Sequence, residues 1–458
     1  MEITKILAEN IVNTKYEKLP MEVVWKTKRQ ILDILGVMFP PSTLEKGCIA
    51  LEEIAREGGG KPESTVIGFG GKVPCWMAAF VNGSLCHPID YDDSIDEFEN
   101  HPSAHTFPAA LAIAEKVGNV SGKEFLTAFA LGIDLNVRLS ASPKGSLMED
   151  YPWFPQCVFG VFSATAAGGK LLKLTVPEMV NAFGIALDRV SGITESITSP
   201  DSEIRALRDG FGNREGVLAA LMAQKGIPAC KDGIEKLYKV FYKNNNDSSL
   251  LTSDLGVEFG GLKVGFKAWP SCRGTHLYVK AGLDIAKEYD VDPEKIEEII
   301  LTVGSLIKDV PFSPLEEKQR PKLSINAKIS LPFVMGVVFA KRRVIIEDFF
   351  PENLVDPKVL SIAKKVKPKF DPQLPKGMLA PGTVEVRMRG GRSLIKKEAF
   401  PYGHPKNPMS DEELVEKFKN CALYSKKALS ESKTAQLVEK ILELEKVKSI
   451  EEITEIIA

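Results

Sequence analysis

Apolar residues recur at i+3/i+4 spacing through most of the first half of the chain, in runs bounded by residues that start or stop helices. After Pro20, a residue suited to the first helical position, Val24, Thr27, Ile31, Leu35 and Met38 fall on one face. Ser121 with Glu124 and Thr175 with Glu178 have capping-box spacing, each ahead of an apolar run. Residues 158–172 are rich in Gly, Ala and Ser, so neighbours can approach closely, and they predict a central buried helix. No segment before Gly260–Gly261 alternates convincingly with period two.

The pattern then changes. Lys295–Val303 (KIEEIILTV) passes from a helix-like start into a β-branched run. Val384, Val386 and Met388 alternate ahead of a turn at Gly390–Gly391, which is a hairpin signal. Another capping box, SDEE from Ser410, opens a polar helical tail running to Ala458. The expected fold is therefore mainly α. It has a large all-helical domain over residues 1–262, a smaller α/β domain over 263–399 and a C-terminal helical segment, 400–458, returning to the first domain.

Bulk properties narrow the class. A chain of 458 residues, 44% hydrophobic and 26% charged, suits a globular protein of two or three domains. The formal net charge of −2 and the lack of any long like-charge run argue against nucleic acid and anionic membrane as partners. The longest uncharged stretches, 157–169 and 329–340, fall short of the ~20 residues that span a bilayer. The start, MEITKILAEN, lacks the basic-then-apolar order of a signal peptide. Seven scattered cysteines with no CxxC pair argue against a disulfide framework, a zinc ribbon or a local iron–sulfur motif, so a cytoplasmic location is expected.

Titratable chemistry concentrates in HPIDYDDSIDEFENHPSAH, His87 to His105, which holds three of the five histidines and six carboxylates. A solvated acidic loop, a metal site and an acid/base site are the readings open to it. Calcium fails, because an EF-hand loop starting at Asp90 would place Ile95 where glycine is needed and His101 where a bidentate Glu belongs. Asp92, Asp93 and Asp96 spell DDxxD, which resembles the magnesium–diphosphate motif of terpene synthases, but the nearest second acidic stretch, NNNDSSLLTSD, lacks the required Glu. Asp96, Glu97 and Glu99 read as solvent-facing acids.

The longer stretch NGSLCHPIDYDDSIDEFENHPSAHTFPAALAIAE resembles the signature of the MmgE/PrpD family. Further matches follow in order at 121–139, 159–175, 212–226, 267–286 and 402–418. The resemblance implies a helical domain carrying an α/β lid, a homodimer, no metal and no organic cofactor. It also implies a site in the cleft between the two domains for small di- or tricarboxylates, which members dehydrate, decarboxylate or epimerise. Carried over by position, His101 becomes the general acid/base, Asp90 its partner, and Lys267 a catalytic carboxylate anchor together with Arg205. Ser94, Arg208, Cys272 and His276 would line the site.

Several positions depart from the family pattern. Phe154 stands where dehydratase and decarboxylase members have His, Arg205 replaces Lys, and Arg208 replaces a nearby His. Phe333 lacks an aromatic hydroxyl, and Cys272 takes the place of a second lid histidine. Guanidinium groups keep anion binding but shuttle protons poorly. Plainer readings are surface ion pairs of Arg205 and Arg208 with Asp201, Glu203 or Asp209, a buried apolar role for Cys272, and a structural one for His404. The expected function is a cofactor-independent lyase of hydratase/dehydratase type, acting by proton abstraction next to a carboxylate. An epimerase or isomerase, a decarboxylase and a catalytically lapsed carboxylate-binding protein are the alternatives.

Overall fold

The reciprocal caps expected from the sequence are made. Glu124 accepts from Ser121 N at 2.9 Å while Ser121 Oγ accepts from Glu124 N, and Ser410 and Glu413 repeat the exchange. Thr175 and Glu178 form the third box. Each box satisfies donors that a helix start would otherwise leave orphaned. Pro20 sits one place earlier than expected: its carbonyl accepts from Val23 N and Val24 N as the cap of a helix beginning at Met21. The computed structural model describes residues 2–458 except 99, 148, 196–198, 200, 201 and 375–380, and omits the side chain of residue 306. Glu99 and Asp201, both considered above, thus lie outside the described residues.

The chain forms two compact units, the first comprising Met1–Pro88, Asn100–Val264 and Ser410–Ala458, the second Ile89–Glu99 and Gly265–Met409. Residues 89–99 and 400–409 therefore group with the α/β part, although the boundaries drawn from sequence placed both with helices. The reason is backbone pairing. Ser94 and Gly265 exchange two hydrogen bonds (2.9 and 2.7 Å), and Phe266 N donates to Gly403 O at 2.9 Å.

In the first unit the helices that matter below are α1 (Ile3–Asn13), α2 (Met21–Val37), α3 (Cys75–Ser84), α4 (Pro102–Val117), α5 (Gly122–Ala141), α6 (Pro155–Leu171), α7 (Val176–Leu187) and α8 (Ile204–Gln224). Helix α6 is buried along almost its whole length and is packed by α4, α5 and α8. Its small residues permit this: a Cβ on Gly160 would lie 2.3 Å from His105 Nδ1. A hairpin of two-residue strands, β1 (Ser64–Thr65) and β2 (Lys72–Val73), is too short to show as alternation.

The second unit is built on a four-stranded sheet of order β4-β3-β5-β6, where β3 is Ile296–Val303, β4 Val366–Phe370, β5 Gly382–Met388 and β6 Ser393–Glu398. Strand β3 runs parallel to β4 and antiparallel to β5, and Gly390 and Gly391, both at positive φ, turn β5 into β6. Helices α9 (His276–Glu288), α10 (Leu331–Lys341) and α11 (Pro357–Ala363) share one hydrophobic core with the sheet. Helices α12 (Asp411–Ala422) and α13 (Glu431–Leu442) then return to the first unit, where Lys417 Nζ meets Asp33 of α2 at 2.6 Å. The fold is mainly α with a smaller α/β domain. Among the described residues no helix is long and apolar enough to cross a membrane.

Candidate active site

In the second unit the acidic stretch is held by the cations that follow Gly265. Lys267 Nζ lies 2.5 Å from Asp90 Oδ1 and 3.4 Å from Asp92 Oδ1, and all three side chains are buried. Burial alone would lower the Lys267 ammonium, but the two carboxylates overcome that and hold it above its ordinary value. Asp90 adopts φ 50°, a left-handed conformation that Asp tolerates better than most residues and that the ion pair helps to fix. Arg273 grips Asp96 through a fork, Nε to Oδ1 at 2.7 Å and Nη2 to Oδ2 at 2.8 Å. The same guanidinium donates to the carbonyls of Phe266 and Tyr402, each at 3.1 Å. Tyr91 Oη adds a bond to Ala268 O at 3.1 Å.

Those contacts revise the sequence reading. Asp96 is buried and paired, not solvated, while Glu97 is exposed as expected. Of the DDxxD acids, Asp92 goes to Lys267 and Asp96 to Arg273, so these two are held by different cations. Lys267, expected as a carboxylate anchor, already holds two of the chain's own carboxylates. Asp92 was read from sequence only as part of DDxxD, not as a partner of Lys267.

His276 is fully buried at the start of α9. Its Nε2 lies 3.1 Å from Ser271 O, and Nδ1 has no hydrogen-bond partner among the described residues. Burial first, then the positive charges of Arg273 and Lys267, hold the imidazole well below its usual value. The ring is neutral at pH 7, and Nε2–H donating to the carbonyl leaves Nδ1 as an acceptor. Ser94 is buried and held by its backbone pairing, and Cys272 is half-buried at the start of the turn Arg273–Thr275. His404 stacks on Phe400 at 4.9 Å and accepts from Lys406 N at 3.0 Å, a structural role. Phe333 is fully buried in the core beside Phe349.

In the first unit the described structure brings together two further groups. His101, the residue before α4, is buried with its ring centroid 5.0 Å from that of His87. On α8, Arg208 is only 2% exposed and lines a cavity of about 210 Å³ together with Cys157, Arg189, Ser191, Phe211 and Gly212. Its guanidinium lies 4.9 Å above the Phe154 ring, with Arg205 at 5.8 Å from the same ring. Arg208 Nη1 donates to Arg205 O at 2.6 Å. Nε approaches Asp209 Oδ1 at 3.3 Å, yet Nε and Nη2 make no hydrogen bond among the described residues. The pairing with Asp209 is thus real, but buried and not at the surface. Asp209 also lies 3.2 Å from His105 Nε2, and both are fully buried. Burial pushes the Cys157 thiol up to about 12, so it does not ionise near neutrality. Sequence reasoning missed Arg189 as a second lining residue of the Arg208 cavity and His105 as a neighbour of Asp209, since nothing in their spacing announces either contact.

The second unit thus holds a buried acid–lysine–acid cluster and a neutral histidine, and the first an arginine-lined cavity, groups whose chemistry suits proton exchange and anion binding. Residues 5–247 match the MmgE/PrpD N-terminal domain and 269–446 the MmgE/PrpD C-terminal domain, and the chain belongs to this family. Among its relatives, it is 27% identical over 431 residues to a cis-aconitate decarboxylase of Homo sapiens, covering 91% of this chain and 87% of that one. It is 25% identical over 415 residues to a cis-aconitate decarboxylase of Aspergillus terreus (86% and 83%). A cis-aconitate decarboxylase-like protein of Aspergillus oryzae, oryM, is 23% identical over 481 aligned positions (100% and 97%).

Proposed function

We propose that the protein is a cofactor-independent lyase that removes a proton beside a carboxylate of a small di- or tricarboxylate, with hydration–dehydration as its reaction. The observation carrying this reading is Arg208, a guanidinium 2% exposed with two nitrogens unsatisfied, in a cavity of about 210 Å³ with a second arginine. Leaving buried donors unpaired costs ~1–3 kcal/mol, and more when they are charged. A carboxylate in the cavity recovers that cost and matches the planar fork. His101 takes the C–H proton. Negative charge then grows on the substrate carboxylate and is met by a guanidinium. His101, now protonated, gives that proton to the substrate hydroxyl oxygen, which leaves as water.

Decarboxylation is the second reading, favoured by what the relatives are called. The deciding experiment is a panel of di- and tricarboxylates followed by proton NMR in D₂O, with released CO₂ trapped. Vinylic protons appearing from a hydroxy acid without CO₂ support dehydration, and CO₂ release supports the second reading. Exchange of a C–H with no net loss identifies an epimerase. A ligand that binds with no exchange at all rejects both readings and leaves a lapsed, carboxylate-binding protein.

A further inference from the structure

A second cavity, of about 480 Å³, opens in the first unit and contains none of the residues assigned above. It forms where the end of α1 and the turn Tyr16–Lys18 meet the start of α5 and the end of α6. Val12, Val120, Leu171 and Leu174 give it apolar walls, while Lys15, Lys123, Lys170 and Lys173 supply ammonium groups.

Lys170 is half-buried, and its Nζ donates to Val12 O and Thr14 O, both at 2.7 Å, so the amine is held in place. Lys123 Nζ lies 5.1 Å from the Tyr16 ring centroid. The acids facing the cavity are Glu17 and Glu124. Glu124 is already engaged by the Ser121 cap and lies 3.4 Å from Lys173. Among the described residues no carboxylate reaches ion-pair distance of Lys15, Lys123 or Lys170. Burial, then the charge of Lys15, brings the Lys170 amine down to about 8. Two ammonium groups kept close with no acid between them repel each other, and an anion between them removes the repulsion.

We infer that this cavity binds a small amphiphilic anion, a carboxylate- or phosphate-headed molecule whose apolar body lies on Leu171 and Leu174. The head bridges Lys170 and Lys15, and Lys123 and Lys173 complete the rim. The site is separate from the proposed reaction and does not depend on it.

Isothermal calorimetry on the full chain at pH 7 tests this with octyl phosphate, octanoate and inorganic phosphate. One-to-one binding of at least one amphiphile is expected, with inorganic phosphate weaker by about tenfold or more because it buries no apolar surface. The tighter amphiphile identifies the head group. Lys15→Met, at an exposed position, and Lys170→Met should each weaken binding by about fivefold or more. Affinity should fall between pH 7 and 9 as Lys170 loses its proton, and Lys170→Met should flatten that fall. The inference is overturned if neither amphiphile binds at one site. It is equally overturned if folded Lys15→Met, checked by circular dichroism, binds as tightly as the parent.

Discussion

Phe154 and Arg208 look like independent departures from the family pattern, but the guanidinium lying over the ring couples them. An aromatic face accepts a cation that a protonated histidine in the same place would repel. Arg208→Lys keeps the charge beside Asp209 and loses the fork, so the Kd for a polycarboxylate should rise about tenfold, ~1.4 kcal/mol, by calorimetry. An unchanged Kd would return Arg208 to a structural ion pair. His101→Asn should lower turnover by ~10²–10⁴-fold with little change in Tm, the usual worth of a general acid/base. Full activity in the folded variant would remove His101 from its role. His276 gives a pH signature. Its folded value lies well below the ordinary 6.5, so the unfolded chain binds a proton that the folded one refuses. Stability from this group is complete above the unfolded value and is lost as pH falls below it, by up to about 1.4 kcal/mol per pH unit. Urea midpoints of His276→Gln should show a shallower loss between pH 6.5 and 5. Some slope should persist from His404, whose value burial also lowers.

At the scale of elements, what the sequence made legible was local. The capping boxes at Ser121, Thr175 and Ser410 need only residues three apart, and the β5–β6 hairpin needs only alternation and the Gly390–Gly391 turn. Residues 89–99 were placed with the wrong neighbours because their partners are distant: Asp96 finds Arg273 at a separation of 177 residues, and neither side carries a periodic signal. The site residues divide in the same way. Positions could be carried over from a motif, but the pairing of Lys267 with Asp90 and Asp92, or the cavity around Arg208, exists only after long-range contacts form. The clip itself is testable. Arg273→Lys replaces a two-armed grip on Asp96 by a point charge and loses the bonds to Phe266 O and Tyr402 O. Hydrogen exchange over residues 89–99 should quicken in this variant while exchange in α6 stays unchanged. Equal protection of both segments would show that the fork contributes little.

Across the whole molecule, the proposed chemistry needs only side chains. Exhaustive EDTA treatment should therefore leave turnover, and any rise in Tm caused by a polycarboxylate, unchanged. Loss restored by Mg²⁺ would revive a metal role for the acids between Asp90 and Asp96. The split composition of the second unit also sets an order in time. On the ribosome Asp90, Asp92 and Asp96 emerge long before the cations that neutralise them. At about 5–20 residues per second, the 177 residues between Asp96 and Arg273 take about 10–35 s to make. Throughout that interval the nascent helical unit carries an acidic loop that cannot be buried, because its countercharges do not yet exist. The helices on either side can dock early, but residues 89–99 must wait exposed as a hydrated loop until Lys267 and Arg273 arrive. Synthesis that stalls before Lys267 would leave this loop open to proteolysis, a built-in mark of an unfinished chain.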